Sequence, residues 1–377
     1  MFEKRFRDRI NLQQLEGLHR NPPVIEKREG RFVTIKGQKV LSFASNDYLG
    51  LGASHQLAAQ VGKHFKAFGS SASSSRLVAG NYQTICRAEK TFADYFGYED
   101  ALFFSSGYQA NLAILSTLFE KGDILIFDKH VHASCVKGIT LSGAGLKGYR
   151  HNNLKHLEKR LEALNCKNRG VVTESLFSMD GDLLPIKPFG DLKKKHGFYG
   201  VVDEAHAFGV LGDKGRGIAK GVTDIALGTF GKALGLFGAF VLLPRGVKEY
   251  LMNFASPLIY TTSLPQAHAL AAVAALELVE QADNARKIVK DVSESMGETL
   301  IREGFQVFGN AHIISVLMGD EKKAAQVSRD LLSLGILAFS ARFPTVPLGK
   351  AILRLGMTAL HREEDIKTFV NALKTVV

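Results

Sequence analysis

The chain of 377 residues has 46% hydrophobic and 23% charged side chains, proportions typical of a globular protein that buries a large core. Its 48 basic and 37 acidic residues give a net charge of +11, but the basic residues are dispersed, so we expect no nucleic-acid partner. The three cysteines form no C-x-x-C pair, which argues against a disulfide framework or a zinc ribbon, and we expect no bound metal.

Residues 1–45 are predicted to form an N-terminal arm, in which a helix precedes a hairpin-like piece of residues 31–35 and 39–43. The start of the arm is charged and lacks the apolar stretch of a signal peptide. The longest apolar run in the chain, residues 269–276, is shorter than the roughly 20 residues that span a bilayer. We therefore expect a cytoplasmic protein without a membrane partner.

Residues 46–285 are predicted to form a large cofactor-binding domain, and residues 286–377 a smaller α+β domain. In the large domain, short apolar runs alternate with helical stretches, which predicts an α/β fold with a mainly parallel central sheet flanked by helices. A long helix is predicted over residues 265–300. The predicted strands are Ala101–Phe104, Asp123–Phe127, Gly170–Thr173, Tyr199–Val202, Ile225–Leu227 and Ala239–Leu243.

Polar segments follow five successive predicted strands, at the end of an open parallel sheet where ligands bind. The first segment, Ser105–Asn111, opens a helix whose free N–H groups suit a phosphate. The fifth is GTFGKALG, residues 228–235, which places one lysine among glycines. A single segment of this kind more often has a structural role than a functional one. The functional signal is that all five segments fall at the same edge of the sheet. The single residues that stand out in them are His132, Ser178, Asp203, His206 and Lys232.

Three interpretations compete for Lys232: a nucleotide phosphate loop, a solvated lysine in a glycine-rich turn, and a reactive amine. The nucleotide loop is disfavoured because Gly228–Ala233 is too short, ends in alanine rather than a hydroxyl residue, and follows the acidic Asp203–His206 segment. A Schiff-base lysine requires an aldehyde cofactor held by its phosphate, an acid at the ring nitrogen and a flat group on the ring. The helix start, Asp203 and His132 supply these three requirements.

With these motifs the chain resembles the α-oxoamine synthases, a family of fold-type I pyridoxal-phosphate transferases, over nearly its whole length. Two further segments, Asn253–Pro265 and Pro344–Gly349 with the following Arg354 and His361, are similar to the branch that forms 8-amino-7-oxononanoate in biotin biosynthesis. One departure is GSSASSSR at residues 69–76, where the family usually has a Ser-Gly-Gly-Ser segment, and it leaves the acyl donor open. The resemblance is carried by Ser45–Leu51, Ser106–Asn111, His132–Ser134, Glu174–Asp182, Asp203–His206 and Thr229–Lys232.

The resemblance implies pyridoxal 5'-phosphate as cofactor and a homodimer with shared active sites. It implies that Lys232 binds the cofactor aldehyde and later removes the Cα proton of the amino acid, that Asp203 pairs with the pyridine nitrogen, and that His132 stacks on the ring. His206 and Ser178 are expected near the ring hydroxyl. The residues expected to hold the phosphate are Gly107, Tyr108 and Thr229, with Thr261 or Thr262 reaching it from a second subunit.

For the substrates, the resemblance implies that Arg354 binds the amino-acid carboxylate, that Asn46 lies near cofactor or substrate, and that Arg20 meets the acyl carboxylate. The implied reaction is a decarboxylating condensation of L-alanine with pimeloyl-CoA or a pimeloyl carrier protein. The alternative is another α-oxoamine synthase that uses glycine or a different amino acid and acyl donor, including one that makes an aminoketone signal. An aminotransferase and a non-enzymatic cofactor-binding module are disfavoured.

Overall fold

The computed structural model describes residues 2–166 and 168–377. By their internal contacts, these residues divide into two compact units. The first contains the described residues of Met1–Ala53, with Ser178–Asp182 and Asn284–Val377. The second contains the described residues of Ser54–Phe177 and Leu183–Asp283. None of the helices in the described ranges is both long and apolar enough to cross a membrane.

Helices and strands alternate along much of the chain. The strands, in chain order, are β1 (Lys27–Glu29), β2 (Phe32–Ile35), β3 (Gln38–Ser42), β4 (Asp100–Phe104), β5 (Ile124–Asp128), β6 (Gly145–Tyr149), β7 (Arg169–Glu174), β8 (Tyr199–Asp203), β9 (Ile225–Thr229), β10 (Ala239–Leu243), β11 (Val307–Phe308), β12 (Ile313–Gly319), β13 (Ile336–Leu337), β14 (Phe339–Ala341) and β15 (Ala351–Gly356). The helices are α1 (Phe2–Leu15), α2 (His55–Phe68), α3 (Gln83–Phe96), α4 (Gly107–Thr117), α5 (Ala133–Leu141), α6 (Leu154–Glu162), α7 (Ile186–His196), α8 (Arg245–Phe254), α9 (Ser256–Ile259), α10 (Gln266–Glu280), α11 (Asp283–Arg302), α12 (Glu321–Ser333) and α13 (Glu363–Val376).

The second unit is built on a seven-stranded sheet with the order β4-β10-β9-β8-β7-β5-β6. The pairs β5–β6, β5–β7, β7–β8 and β8–β9 are parallel, and β10 runs antiparallel to both β4 and β9. Every residue of β10 is buried, as its continuous apolar sequence predicts for a strand covered on both faces. The predicted α/β fold with a mainly parallel sheet is confirmed, and the six predicted strands are all present.

The sequence prediction missed β6, which lies at the edge of this sheet. Its sequence, GLKGY, mixes glycine and lysine with apolar residues, because an edge strand need not be buried on both faces. The predicted single helix over residues 265–300 is also wrong. The chain forms α10 and α11 there, separated by Gln281 and Ala282.

Packed aromatic rings anchor the glycine-rich segment that carries Lys232. Phe230 is fully buried, and its ring lies 5.5 Å from Phe92, 5.0 Å from Phe103 and 5.3 Å from Phe240 between centroids. A Cβ atom at Gly228 would lie 2.2 Å from the Phe240 ring, so only glycine allows the strand to approach this cluster. The lysine segment therefore begins at a closely packed part of the core.

The first unit contains two four-stranded sheets, β1-β2-β3-β13 and β11-β12-β15-β14. The predicted hairpin of the arm corresponds to β2 and β3, which pair antiparallel. Lys36 and Gly37 connect them with φ of 50° and 74°, the positive values that a tight two-residue hairpin turn requires. The second sheet buries apolar residues of β12 and β15 in one cluster with side chains of α11, α12 and α13.

Candidate active site

The strand ends of the second unit gather acidic and hydroxyl side chains at one edge of the sheet. The parallel strands β5, β7, β8 and β9 end at Asp128, Glu174, Asp203 and Thr229. The strand β4 points to the same edge, because β10 is antiparallel to both β4 and β9, and α4 begins shortly after β4 ends. This is the arrangement in which open α/β sheets bind ligands.

Asp203, at the end of β8, is half-buried and accepts hydrogen bonds on both carboxylate oxygens. Its Oδ1 accepts the backbone N–H of Ala205 at 2.9 Å, and its Oδ2 accepts Nδ2 of Asn111 at 2.9 Å. The same Nδ2 donates to Oγ of Ser134 at 3.0 Å. Asn111 is buried and belongs to the Ser106–Asn111 motif, yet the sequence analysis assigned it no role. Its signal was an amide directly between two apolar residues of α4, Ala110 and Leu112.

This hydrogen-bond network continues to His132, the residue that caps α5. Oγ of Ser134 lies 2.7 Å from Nδ1 of His132, and the backbone N–H of Ser134 donates to the same nitrogen at 3.3 Å. Nδ1 is therefore an acceptor and carries no proton. The backbone N–H of His132 donates to Oε1 of Glu174 at 2.6 Å, which ties the cap to the end of β7.

The charges of Asp203 and Lys232 both act on the imidazole of His132. Partial desolvation lowers the pKa of His132, the charge of Asp203 opposes this shift, and the charge of Lys232 adds to it. The imidazole is consequently neutral near pH 7 and presents a flat, uncharged ring. The structure thus brings these three predicted residues together at one sheet edge.

Lys232 is half-buried in a closed turn between β9 and β10. Oγ1 of Thr229 donates to the carbonyl of Gly238 at 2.9 Å and accepts the N–H of Gly231 at 3.1 Å. The N–H of Gly235, which has a φ of +70°, donates to the carbonyl of Lys232 at 3.0 Å. Since these hydrogen bonds define the turn, a solvated lysine in a loose loop is a poor description of this segment.

The N-terminus of α4 supplies the donors that a phosphate requires. Oγ of Ser106 caps the helix by accepting the N–H of Gln109 at 3.2 Å. The N–H groups of Gly107 and Tyr108 lie in the first turn, where the helix itself offers them no partner. Thr261 and Thr262 of the same chain line a small cavity together with Ser105, which precedes the helix.

In the Asp203–His206 segment, Asp203 is half-buried, whereas Glu204 and His206 are buried. Glu204 is fully buried and accepts the backbone N–H groups of Ile218 and Ala219, each at 2.9 Å. Burial raises the pKa of Glu204 to about 7, against the lowering effect of these two donors. His206 is also buried, in the turn that follows β8.

This donor set fits pyridoxal phosphate. The cofactor has an anionic phosphate, a basic ring nitrogen, a flat ring and an aldehyde. The phosphate is matched by the start of α4 and the ring nitrogen by Asp203. The flat ring is matched by His132 and the aldehyde by Lys232. The individual roles of these residues remain predictions.

The first unit holds a second group of predicted residues around Arg354, which is only 4% exposed in β15. Its Nε donates to the carbonyl of Ser178 at 2.9 Å, and its Nη2 donates to the hydroxyl of Tyr48 at 3.3 Å. The Tyr48 hydroxyl donates in turn to Oδ1 of Asn46 at 3.1 Å. The sequence analysis assigned Tyr48 no role. Arg20 is exposed, and its charge acts on Arg342.

Comparisons with known proteins agree with this geometry. A family model described as aminotransferase class I and II matches residues 38–373. The 8-amino-7-oxononanoate synthase of Photobacterium profundum is 37% identical over 383 residues, which cover 100% of this chain and 97% of the relative. The match therefore extends over the whole of both units.

Two solved structures are similar to the chain throughout its length. A serine palmitoyltransferase from Sphingomonas wittichii superimposes with a TM-score of 0.92 and 30% identity, covering 100% of this chain and 96% of the other. A structure of SPT with pyridoxal phosphate has a TM-score of 0.92 and 29% identity, covering 100% of this chain and 97% of the other.

Proposed function

Because this chain belongs to the class I and II aminotransferase family, and within it to the pyridoxal-phosphate-dependent α-oxoamine synthases of the 8-amino-7-oxononanoate synthase type, we propose that it condenses L-alanine with a pimeloyl thioester. The products are 8-amino-7-oxononanoate, carbon dioxide and a free thiol. The chemical part of the proposal rests on the hydrogen-bond network at one sheet edge that joins Asp203 to His132 through Asn111 and Ser134, with the charge of Lys232 acting on His132. The choice of substrates is supported by the names of the relatives.

Bound pyridoxal phosphate supplies an electron sink that stabilises negative charge at Cα of the amino acid. Lys232 takes the Cα proton on Nζ, a role supported by the half-buried position of the lysine and by the effect of its charge on His132. Asp203, oriented by Asn111 and Ala205, keeps the proton on the pyridine nitrogen. His132 covers the ring as a neutral imidazole, and His206 with Ser178 serves the ring hydroxyl.

The phosphate is held by the N–H groups of Gly107 and Tyr108 and by Thr229. Arg354 binds the carboxylate of the amino acid, since a planar guanidinium suits bidentate recognition of a carboxylate. Asn46 supports this group through the hydroxyl of Tyr48.

Arg20 is proposed to meet the carboxylate of the acyl chain. We further propose a homodimer, in which Thr261 or Thr262 of the second subunit completes the phosphate site.

The test is to mix the protein with L-alanine and pimeloyl-CoA and to measure release of thiol and carbon dioxide together. Lys232→Ala should abolish both and remove the visible absorbance of the lysine-bound cofactor. Lys137→Ala is the matched control, because this lysine is exposed on α5 of the same unit and should leave activity unchanged. Full turnover by Lys232→Ala would refute the mechanism.

A second candidate is favoured by the structural similarity to serine palmitoyltransferase, with its TM-score of 0.92. In that case the chain uses another amino acid and a longer acyl chain. The same thiol-release assay with glycine, or with L-serine and palmitoyl-CoA, distinguishes the two. Turnover with these substrates and none with alanine would discard the alanine assignment and keep the reaction class.

A further inference from the structure

A cavity of about 1170 Å³ in the first unit is lined by cationic side chains. It is formed by the segment after α1, the β2–β3 hairpin, α12 and the start of the loop after β14. Among its described lining residues the one carboxylate is that of Glu26, whose oxygens accept the N–H of Gly37 at 3.2 Å. The basic residues that line it are His19, Lys36, Lys322, Arg329 and Arg342.

The arginines and lysines of this cavity have no carboxylate partner in the part of the chain that the structure describes. Within residues 2–166 and 168–377, neither Arg329 nor Arg342 lies within ion-pairing distance of a carboxylate, and the same is true of Lys36 and Lys322. Arg342 instead donates to the carbonyl groups of Gly17 and His19, which pins the segment after α1 across the cavity. Arg329 donates to Oε1 of Gln326, a neutral partner.

The arginines of the cavity repel one another. Burial lowers the pKa of Arg342, and the charges of Arg20 and Arg329 lower it further, against the smaller effect of Glu321. Like charges brought together without counterions cost free energy, and an anion with several negative charges removes that cost. Apolar side chains such as Val24, Ile35 and Leu332 form the rest of the wall.

We propose that this cavity binds the phosphate groups of a pantetheine-bearing acyl donor. Four cationic side chains match a ligand with more than one phosphate group, and the apolar wall suits the pantetheine arm or an adenine ring. The volume exceeds that of most small-ligand pockets, which span roughly 300–1000 Å³. The proposal rests on the proposed function in one respect, namely that the donor is a thioester of this kind.

The test measures binding of coenzyme A to the full-length holoenzyme by titration calorimetry, with pantetheine as the probe that lacks phosphate. The double variant Lys322→Gln/Arg329→Gln removes two exposed charges of α12 without touching the cofactor residues. We expect the Kd for coenzyme A to rise at least tenfold, the Kd for pantetheine to stay within twofold, and the salt dependence of coenzyme A binding to weaken. Lys323→Gln, an exposed neighbour outside the cavity, should stay within twofold for both ligands.

A second titration, with pimeloyl carrier protein in place of coenzyme A, distinguishes the two sources of the phosphate. A tenfold loss confined to carrier-protein binding overturns the proposal, because the phosphopantetheine arm of a carrier has one phosphodiester and would leave most of the positive charge of the cavity unmatched. An unchanged Kd for both donors in the double variant overturns it, as does wild-type protein that binds neither.

The proposed function can fail independently of this site. Binding of coenzyme A that depends on Arg329, in a protein without alanine-dependent turnover, would keep the site and reject the function. Turnover of pimeloyl-CoA with an unchanged KM in the double variant would keep the function and reject the site.

Discussion

Replacing Asn111 tests whether Asp203 and His132 are held by a shared network. Asn111→Leu keeps the branched shape of the side chain but removes the donor that Asp203 and Ser134 share. A hydrogen bond to a charged group contributes about 1.5–3 kcal/mol and a neutral one about 0.5–1.5 kcal/mol. The lost bonds therefore cost roughly 2–4 kcal/mol.

Part of this cost is offset in the same variant. Oδ1 of Asn111 is buried without a hydrogen-bond partner among the described residues, so its removal restores about 1–2 kcal/mol. We expect Asn111→Leu to lower the free energy of unfolding by up to about 3 kcal/mol. We also expect it to weaken binding of pyridoxal phosphate at least tenfold, because Asp203 loses one of its two described donors.

The assay is urea unfolding of the apo protein together with an absorbance titration of the cofactor. Asn111→Asp should bind the cofactor still more weakly, because it places a second carboxylate against Asp203. Ser116→Ala is the control, since it removes a hydrogen bond to the carbonyl of Leu112 in the same helix but does not contact Asp203. If Asn111→Leu matched Ser116→Ala in both stability and cofactor affinity, the network would have no positioning role.

Three further variants test the buried acid, the arginine of β15 and the glycine of β9. Burial raises the pKa of Glu204 from an ordinary 4.5 to about 7 in the folded state, so the stability it contributes is fully present below pH 4.5, and about 3 kcal/mol of unfolding free energy is lost as the pH rises through 7. Glu204→Gln should reduce this loss between pH 5 and pH 8, measured by urea unfolding. The same pH dependence of stability in the variant and in the unchanged protein would contradict the assignment. Arg354→Lys keeps the positive charge but loses the planar guanidinium that contacts Ser178, so the KM for L-alanine should rise about tenfold or more in steady-state assays. An unchanged KM would show that Arg354 does not bind the carboxylate of the amino acid. Gly228→Ala places a Cβ atom 2.2 Å from the Phe240 ring and should lower the unfolding free energy, measured by calorimetry, by about 1–3 kcal/mol. Gly246→Ala is the control, because a Cβ atom there meets open space and should not lower the unfolding free energy.

The fold class and the positions of the segments that form the candidate site could be predicted from local sequence patterns. Continuous apolar runs such as Ala239–Leu243 mark strands buried on both faces, because burial of both faces leaves no alternation in the sequence. The polar residues directly after these runs then fall at one sheet edge. The lysine among glycines at residue 232 was recognisable for the same local reason.

Which distant side chains meet could be read only from the folded chain. Asn111 contacts Asp203 across 92 residues of sequence, and Arg354 contacts Tyr48 across 306. The edge strand β6 and the break between α10 and α11 also escaped the sequence analysis. Local patterns encode which face of an element is buried, but the pairing of strands and the partners of a buried polar group depend on packing between elements remote in the chain. The uncompensated charge of the cavity around Arg329 and Arg342 became visible only once the segments that line it had folded together.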